Sequence, residues 1–112
     1  MAIRCEEYNG VCVMTVNGDL AGPDVPAARK HAEDLIDRRQ IVDFVVDLER
    51  APFIDSQGLE TLLWIKRRVE DLFGSLKLAG ADEHVRKILE VTRLSHRFEC
   101  APDVTTALKT RR

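Results

Sequence analysis

The 112-residue chain predicts a single α/β domain. Its sheet is mixed, with four to five strands: an N-terminal antiparallel hairpin, then parallel strands, packed with about four α-helices. Three observations carry that prediction. Asn9-Gly10 sits between two strand-like runs, a strong short-range hairpin signal. Strand-like runs then alternate with helical patterns, which implies parallel strands with helices packed on the sheet. Finally, Asp43-Phe44-Val45-Val46-Asp47-Leu48 is nearly unbroken in its apolar character, as a strand buried on both faces requires. The length suits one domain and leaves no room for a second core.

Ile3 and Cys5 face one way on the first strand, with Glu7 next in that alternation. Val11 to Val16 forms the second strand and ends at Asn17-Gly18; strands joined so tightly must be antiparallel. Gly22-Pro23-Asp24 opens the first long helix, placing a proline at the first helical position and an acid where the helix dipole favours it. Val25, Ala28, Ala32, Leu35 and Ile36 form its apolar stripe, with Arg29, Lys30, Asp37, Arg38 and Arg39 on the wet side.

After the third strand, Glu49 to Ile54 is a loop carrying Pro52. The longest helix starts at about Asp55–Ser56, runs to Phe73 and stops at Gly74 in the left-handed conformation common at helix ends. At 100° per residue, Leu59, Leu62, Ile65, Val69, Leu72 and Phe73 fall on the buried side. Lys66 shares that arc, so its stem packs while its ammonium reaches water. Leu76 to Gly80 is the fourth strand. Asp82 caps a helix carrying Val85, Ile88, Leu89 and Thr92. Phe98-Glu99-Cys100 is a short edge strand, and Pro102-Asp103 opens a last helix with Val104, Ala107 and Leu108. Its end, Lys109-Thr110-Arg111-Arg112, is expected to fray.

Composition excludes several function classes. The chain is 45% hydrophobic and 32% charged with a net charge of −2, so it lacks the basic excess that non-specific nucleic-acid or anionic-membrane binding needs. No apolar run approaches the roughly 20 residues of a membrane span. The stretch Met1 to Glu7 holds no apolar segment long enough for a secretory signal, and a cytoplasmic location is expected. Cys5, Cys12 and Cys100 read as reduced, part-buried thiols, because they are odd in number and form no Cys-x-x-Cys. His31, His84 and His96 stand at no ligand spacing, so no metal or cofactor is expected. Phosphate-binding glycine loops and the Gly-x-Ser-x-Gly elbow are missing from the sequence. The pairs Glu6-Glu7 and Asp82-Glu83 point apart and read as solvated charge. No enzymatic activity is expected.

One segment stands out: Phe53-Ile54-Asp55-Ser56-Gln57-Gly58-Leu59. By residue type alone a hydroxyl in the first turn is most often a plain N-cap; alternatively, Asp55 is the cap and Ser56 the first helical residue. Gly58 costs up to about 1 kcal/mol relative to Ala, which a helix tolerates where another surface comes close. That surface is either a partner or the sheet. Ser56, Glu60, Leu63, Trp64 and Arg67 lie opposite the buried stripe. Leu63 and Trp64 there form a candidate partner patch, unless a neighbouring helix or a second copy in a homodimer covers them.

These residues resemble the STAS domain, the family named for sulfate transporters and anti-sigma factor antagonists. Val45-Val46-Asp47-Leu48, the loop, Phe53-Ile54-Asp55-Ser56-x-Gly58-Leu59 and the amphipathic helix carry the likeness. It extends over about residues 3–110, through Val16-Asn17-Gly18-Asp19-Leu20 and Leu76-Lys77-Leu78-Ala79-Gly80, so the whole chain reads as one STAS domain. The resemblance implies a switch by partner exchange. In stand-alone bacterial members the serine after the aspartate, here Ser56, is phosphorylated by an anti-sigma factor that is also a GHKL-type serine kinase. Unphosphorylated, the antagonist binds that kinase and frees a sigma factor; a PP2C-like phosphatase resets it. Asp55, Ser56, Gln57, Gly58, Glu60, Leu63, Trp64 and Arg67 are then the expected partner-binding residues. Asp24 joins them, since the loop before the first long helix borders the partner surface in the family. Two departures are visible: Gln57 stands where better-known members often carry a second hydroxyl, and Ala21 where many carry an acid. The alternative reading is an unmodified STAS subunit of a larger assembly, such as a membrane lipid-transport ABC complex.

Overall fold

In the computed structural model, which describes residues 2–109, Asn9 and Gly10 both take positive φ, 51° and 84°. This left-handed pair is the geometry of a two-residue hairpin turn. It joins β1 (Ala2–Tyr8) to β2 (Val11–Asn17) in antiparallel register, Cys5 opposite Met14. β3 (Asp43–Asp47), β4 (Ser75–Ala79) and β5 (Glu99–Ala101) then add in parallel, giving the spatial order β1-β2-β3-β4-β5. The predicted mixed sheet is present with five strands.

The sheet separates two apolar layers. On one face, Cys12, Met14, Val16, Phe44, Val46, Leu76 and Leu78 pack with α1 (Val25–Arg39), α2 (Ser56–Asp71) and α3 (Glu83–Val91). On the other, Val11, Val13, Val45 and Ala79 pack with Ala107 of α4 (Val104–Lys109). Phe44 and Val45 thus bury on opposite faces, which is why β3 reads as a continuous apolar run. The expected stripe of α1 is buried in full, and Asp82 caps α3 by accepting from the Val85 N–H at 2.9 Å. Asp103 does the same for α4, accepting from the Thr106 N–H at 2.7 Å. Thr110–Arg112, where the last helix was expected to fray, lie outside the described residues, as does Met1.

Several expectations are corrected. Gly22–Asp24 is a separate 3₁₀ turn, and α1 begins at Val25 with Pro26 in its first turn. Gly22 sits at φ 58°, outside the right-handed helical region, so an α-helix cannot run through it. At the far end of α2 the left-handed residue is Phe73 (φ 64°), not Gly74. The Phe73 N–H donates to Glu70 O (3.0 Å) and the Gly74 N–H to Val69 O (2.7 Å), which is a Schellman closure. Gly74 answers a different demand. A Cβ there would lie 1.9 Å from Val42 O, at the point where the chain turns into β4. Leu72 and Phe73 consequently leave the buried stripe and are 46% and 85% exposed.

Thr92 is exposed at the end of α3, its hydroxyl donating to Ile88 O at 2.8 Å. Cys100 is exposed on the edge strand β5, whereas Cys12 is buried and Cys5 half-buried, all three as free thiols. A thiol hydrogen bond between Cys5 and Cys12 holds Cys5 below the ordinary thiol range and pushes Cys12 above it. Nothing local in the sequence marks Lys77 as buried, yet it is; its ammonium donates to Ala107 O at 3.3 Å and fastens α4 to the sheet.

The C-terminal end of α2 yields a paired prediction. Phe73→Gly relieves a left-handed side chain and raises stability by about 1 kcal/mol. Gly74→Ala drives a methyl into the Val42 carbonyl and lowers it by more than about 2 kcal/mol. Urea unfolding of both variants measures the opposite signs; two changes of the same sign would contradict this division of roles.

Candidate functional site

Pairing between the chain segments of β2 and β3 continues beyond the strands. The Gly18 N–H donates to Arg50 O (2.9 Å), the Leu20 N–H to Phe53 O (3.0 Å) and the Asp55 N–H to Leu20 O (3.3 Å). Leu20 and Ile54 form a parallel bridge, and both side chains are buried. This extension carries the start of α2 to the C-terminal edge of the sheet and fixes it against the loop that precedes α1.

Asp55 is the N-cap. Its backbone is extended (φ −93°, ψ −177°), and its Oδ1 accepts from the Gly58 N–H at 2.8 Å. Its other oxygen, Oδ2, accepts from the Gly22 N–H, also at 2.8 Å. One carboxylate therefore closes the helix start and holds the neighbouring loop. The Gly58 N–H, then that of Gly22, hold the Asp55 carboxyl below the usual carboxylate range, with the Gln57 N–H adding to them.

Ser56 is thereby relieved of capping. It is the first residue of α2 and exposed, next to exposed Gln57 and one turn from exposed Glu60. Gly58 is buried, and a Cβ on it would meet Leu20 O at 2.3 Å and Ile54 Cγ2 at 2.9 Å. The surface that crowds Gly58 is the chain's own backbone at Leu20, in the bridge that extends the β2–β3 pairing. Asp24, exposed, ends the 3₁₀ turn that Gly22 begins, so the Asp55–Gly22 bond brings its turn to the serine's end of the molecule.

The Leu63–Trp64 patch is less exposed than its wheel position implies. Both residues are half-buried and pack on the main core. The guanidinium carbon of Arg29, from α1, sits 4.2 Å from the centre of the Trp64 ring, a cation–π contact. A neighbouring helix thus covers part of Trp64, while both residues stay partly exposed. Arg67 is exposed but eleven residues beyond Ser56, about 16 Å along the helix. Lys66 behaves as expected, with a packed stem and its ammonium 2.6 Å from Glu70 Oε2.

Sequence reasoning missed an exposed ring pair, Phe53 and His84, at the cap end of α2. Phe53 is 41% exposed just before the cap. Its ring centre lies 6.2 Å from that of His84, in the first turn of α3. The signal that could have found Phe53 is a large apolar residue between a proline and a cap, outside any helical stripe.

The model of the STAS domain family matches residues 2–107. Among curated proteins the chain is similar to an anti-sigma F factor antagonist of Paenibacillus polymyxa, 24% identical over 94 residues, covering 84% of this chain and 80% of that protein. Among solved structures it is similar to a putative anti-sigma factor antagonist from Thermotoga maritima, with TM-score 0.90 and 18% identity over 96% of this chain and 92% of that one. The anti-sigma factor antagonist SpoIIAA in its unphosphorylated form gives TM-score 0.84 and 23% identity, over 96% of this chain and 94% of that chain. The phosphorylated form of the Bacillus protein gives 0.76 and 22%, over 98% and 100%. These structural likenesses show the fold. Among the described residues, no helix is long and apolar enough to cross a membrane.

The double acceptor role of Asp55 predicts a pH signature. Its carboxyl is depressed in the folded chain, so its stabilising contribution is complete above the unfolded value of about 3.9 and is lost as pH falls through the lower folded value. The amide resonances of Gly22 and Gly58 should titrate together with one midpoint below about 3.9. Separate midpoints would show that the two bonds do not share a carboxylate. Gly58→Ala should lower stability by more than about 2 kcal/mol, measured by urea unfolding, because its contact is backbone.

Proposed function

This chain belongs to the STAS domain family, and from that premise we propose that it is an anti-sigma factor antagonist working by partner exchange in the cytoplasm. Unphosphorylated, it binds an anti-sigma factor that is also a GHKL-type serine kinase; phosphorylated at Ser56, it lets go. A PP2C-like phosphatase returns it to the binding state. The chain is then a substrate and a binding partner, not a catalyst.

The observation that carries this reading is the division of labour at the start of α2. Asp55 performs the capping, which leaves an exposed serine hydroxyl at a rigid position with no part in the cap. Modifying it need not unfold the helix. A phosphate adds about −1.5 to −2 charges at pH 7. That charge arrives beside Asp55, with Glu60 one turn on and Asp24 in the adjoining turn. A partner that desolvates this end would have to bury an uncompensated dianion, and such burial costs several kcal/mol. The similarity to the Paenibacillus antagonist supports the same role.

The test is intact mass after incubation with ATP and extract from the native host. One phosphate on wild type and none on Ser56→Ala is expected. Ser56→Ala should stay within about 0.5 kcal/mol of wild-type stability and still capture the kinase. Ser56→Asp should fold and capture at least about tenfold less, the equivalent of roughly 1.4 kcal/mol. Equal capture by Ser56→Asp would sink the charge switch, and copurification with a transporter ATPase instead would favour an unmodified subunit.

A further inference from the structure

A phosphate at a helix start ordinarily folds back onto the N–H groups that the first turn leaves unsatisfied, and is neutralised there. At α2 the N–H groups of Asp55 and Gly58 have acceptors already. The Asp55 N–H donates to Leu20 O at 3.3 Å. The Gly58 N–H donates to Asp55 Oδ1 at 2.8 Å, and the Gln57 N–H adds to the same carboxylate. The carboxylate cannot swing aside cheaply, because its other oxygen is anchored on the Gly22 N–H at 2.8 Å. Gly58 is also pinned from the far side, where even a methyl group would strike Leu20 O.

We propose that Asp55 is a positioning residue of the switch: by occupying the Gly58 N–H and anchoring on the Gly22 N–H it keeps a phosphate on Ser56 from folding back onto these amides, so the dianion stays turned outward to the partner. The inference rests on Ser56 being the modified residue. Other ionisable groups at this end are Asp19, Asp24 and Arg50 from the loops, Glu60 from the same helix, and Glu83 and His84 from the start of α3. Acids outnumber bases among them, so the phosphate gains little compensation from that direction. Its second proton should therefore leave at or above the ordinary value of about 6, where a phosphate held by amide donors would lose it earlier.

Phosphoserine installed at position 56 by genetic encoding, in the full chain, allows a phosphorus NMR titration without any kinase. A midpoint at or above about 6 is expected, with the Gly22 and Gly58 amide protons insensitive to that titration. Asp55→Asn removes the charge but keeps a cap acceptor for Gly58; Asp55→Ala also frees the donors. The phosphate of the alanine variant should titrate about one unit below that of the asparagine variant, a tenfold change in proton affinity, and its Gly58 amide should follow the phosphate. A wild-type midpoint well below 6 with Gly58 tracking it, or identical midpoints in the two variants, would overturn the proposal. Should Asp55→Ala not fold, the wild-type midpoint and the Gly58 resonance decide alone. Because the phosphate is encoded, the absence of a kinase in the host extract would count against the partner-exchange reading and leave this result standing.

Discussion

The Asp55 carboxylate connects two amides on opposite sides of the site, Gly22 and Gly58, at 2.8 Å each. The rest of the site depends on that connection. A helix start and a loop that belong to different βα units must approach until backbone touches backbone, and only glycine at position 58 permits it. The approach is worth making because each side satisfies the other's polar groups: Leu20 exchanges hydrogen bonds with Phe53 and Asp55 while its side chain buries beside Ile54. Buried backbone groups that would otherwise lack partners are thereby paired. The cap, the glycine and the parallel bridge are one device.

That device stands on a stiff base. β3 is covered on both faces, so its direction, and that of the loop it launches, is fixed by packing from both apolar layers. The thinner layer is held by an unusual fastener, the buried Lys77 ammonium on the Ala107 carbonyl. A charge placed there is tolerable only with polar partners, and it ties the short α4 to β4, with α3 and β5 between them in the chain. The serine end therefore inherits its rigidity from a sheet that cannot shift without exposing one layer or the other.

Most of this framework is legible in the sequence because it is written at short range. Asn9-Gly10, the stripe of α1, the caps Asp82 and Asp103 and the doubly buried β3 each follow from residues within one turn or one strand. What escapes has a long-range cause. Gly22-Pro23-Asp24 satisfies every local rule for a helix start, but Gly22 is bonded to an aspartate 33 residues away and the turn stays separate. Gly74 looks like a helix stop, and its real constraint is Val42, from the other end of the preceding crossover. The helical wheel put Trp64 on a wet face correctly as geometry; it could not know that Arg29 would lie over the ring. Asp55 as the cap was one of two local options, and only the Gly22 bond gives it a second role.

The cover on Trp64 bears on which surface a charge-operated switch can use. Trp64 is eight residues beyond Ser56, about 12 Å along the helix axis. At physiological salt an exposed charge is largely screened beyond about 8 Å. A recognition patch centred on Trp64 would feel little of a phosphate at position 56, and using it would first require displacing the Arg29 guanidinium. Phe53 is only three residues before the serine, exposed, and continued by His84 on α3. A partner that took its apolar area from Phe53 rather than Trp64 would sit nearer along the chain to a phosphate at position 56. For a switch worked by charge, an exposed apolar anchor three residues from the serine is better placed than one eight residues along the helix.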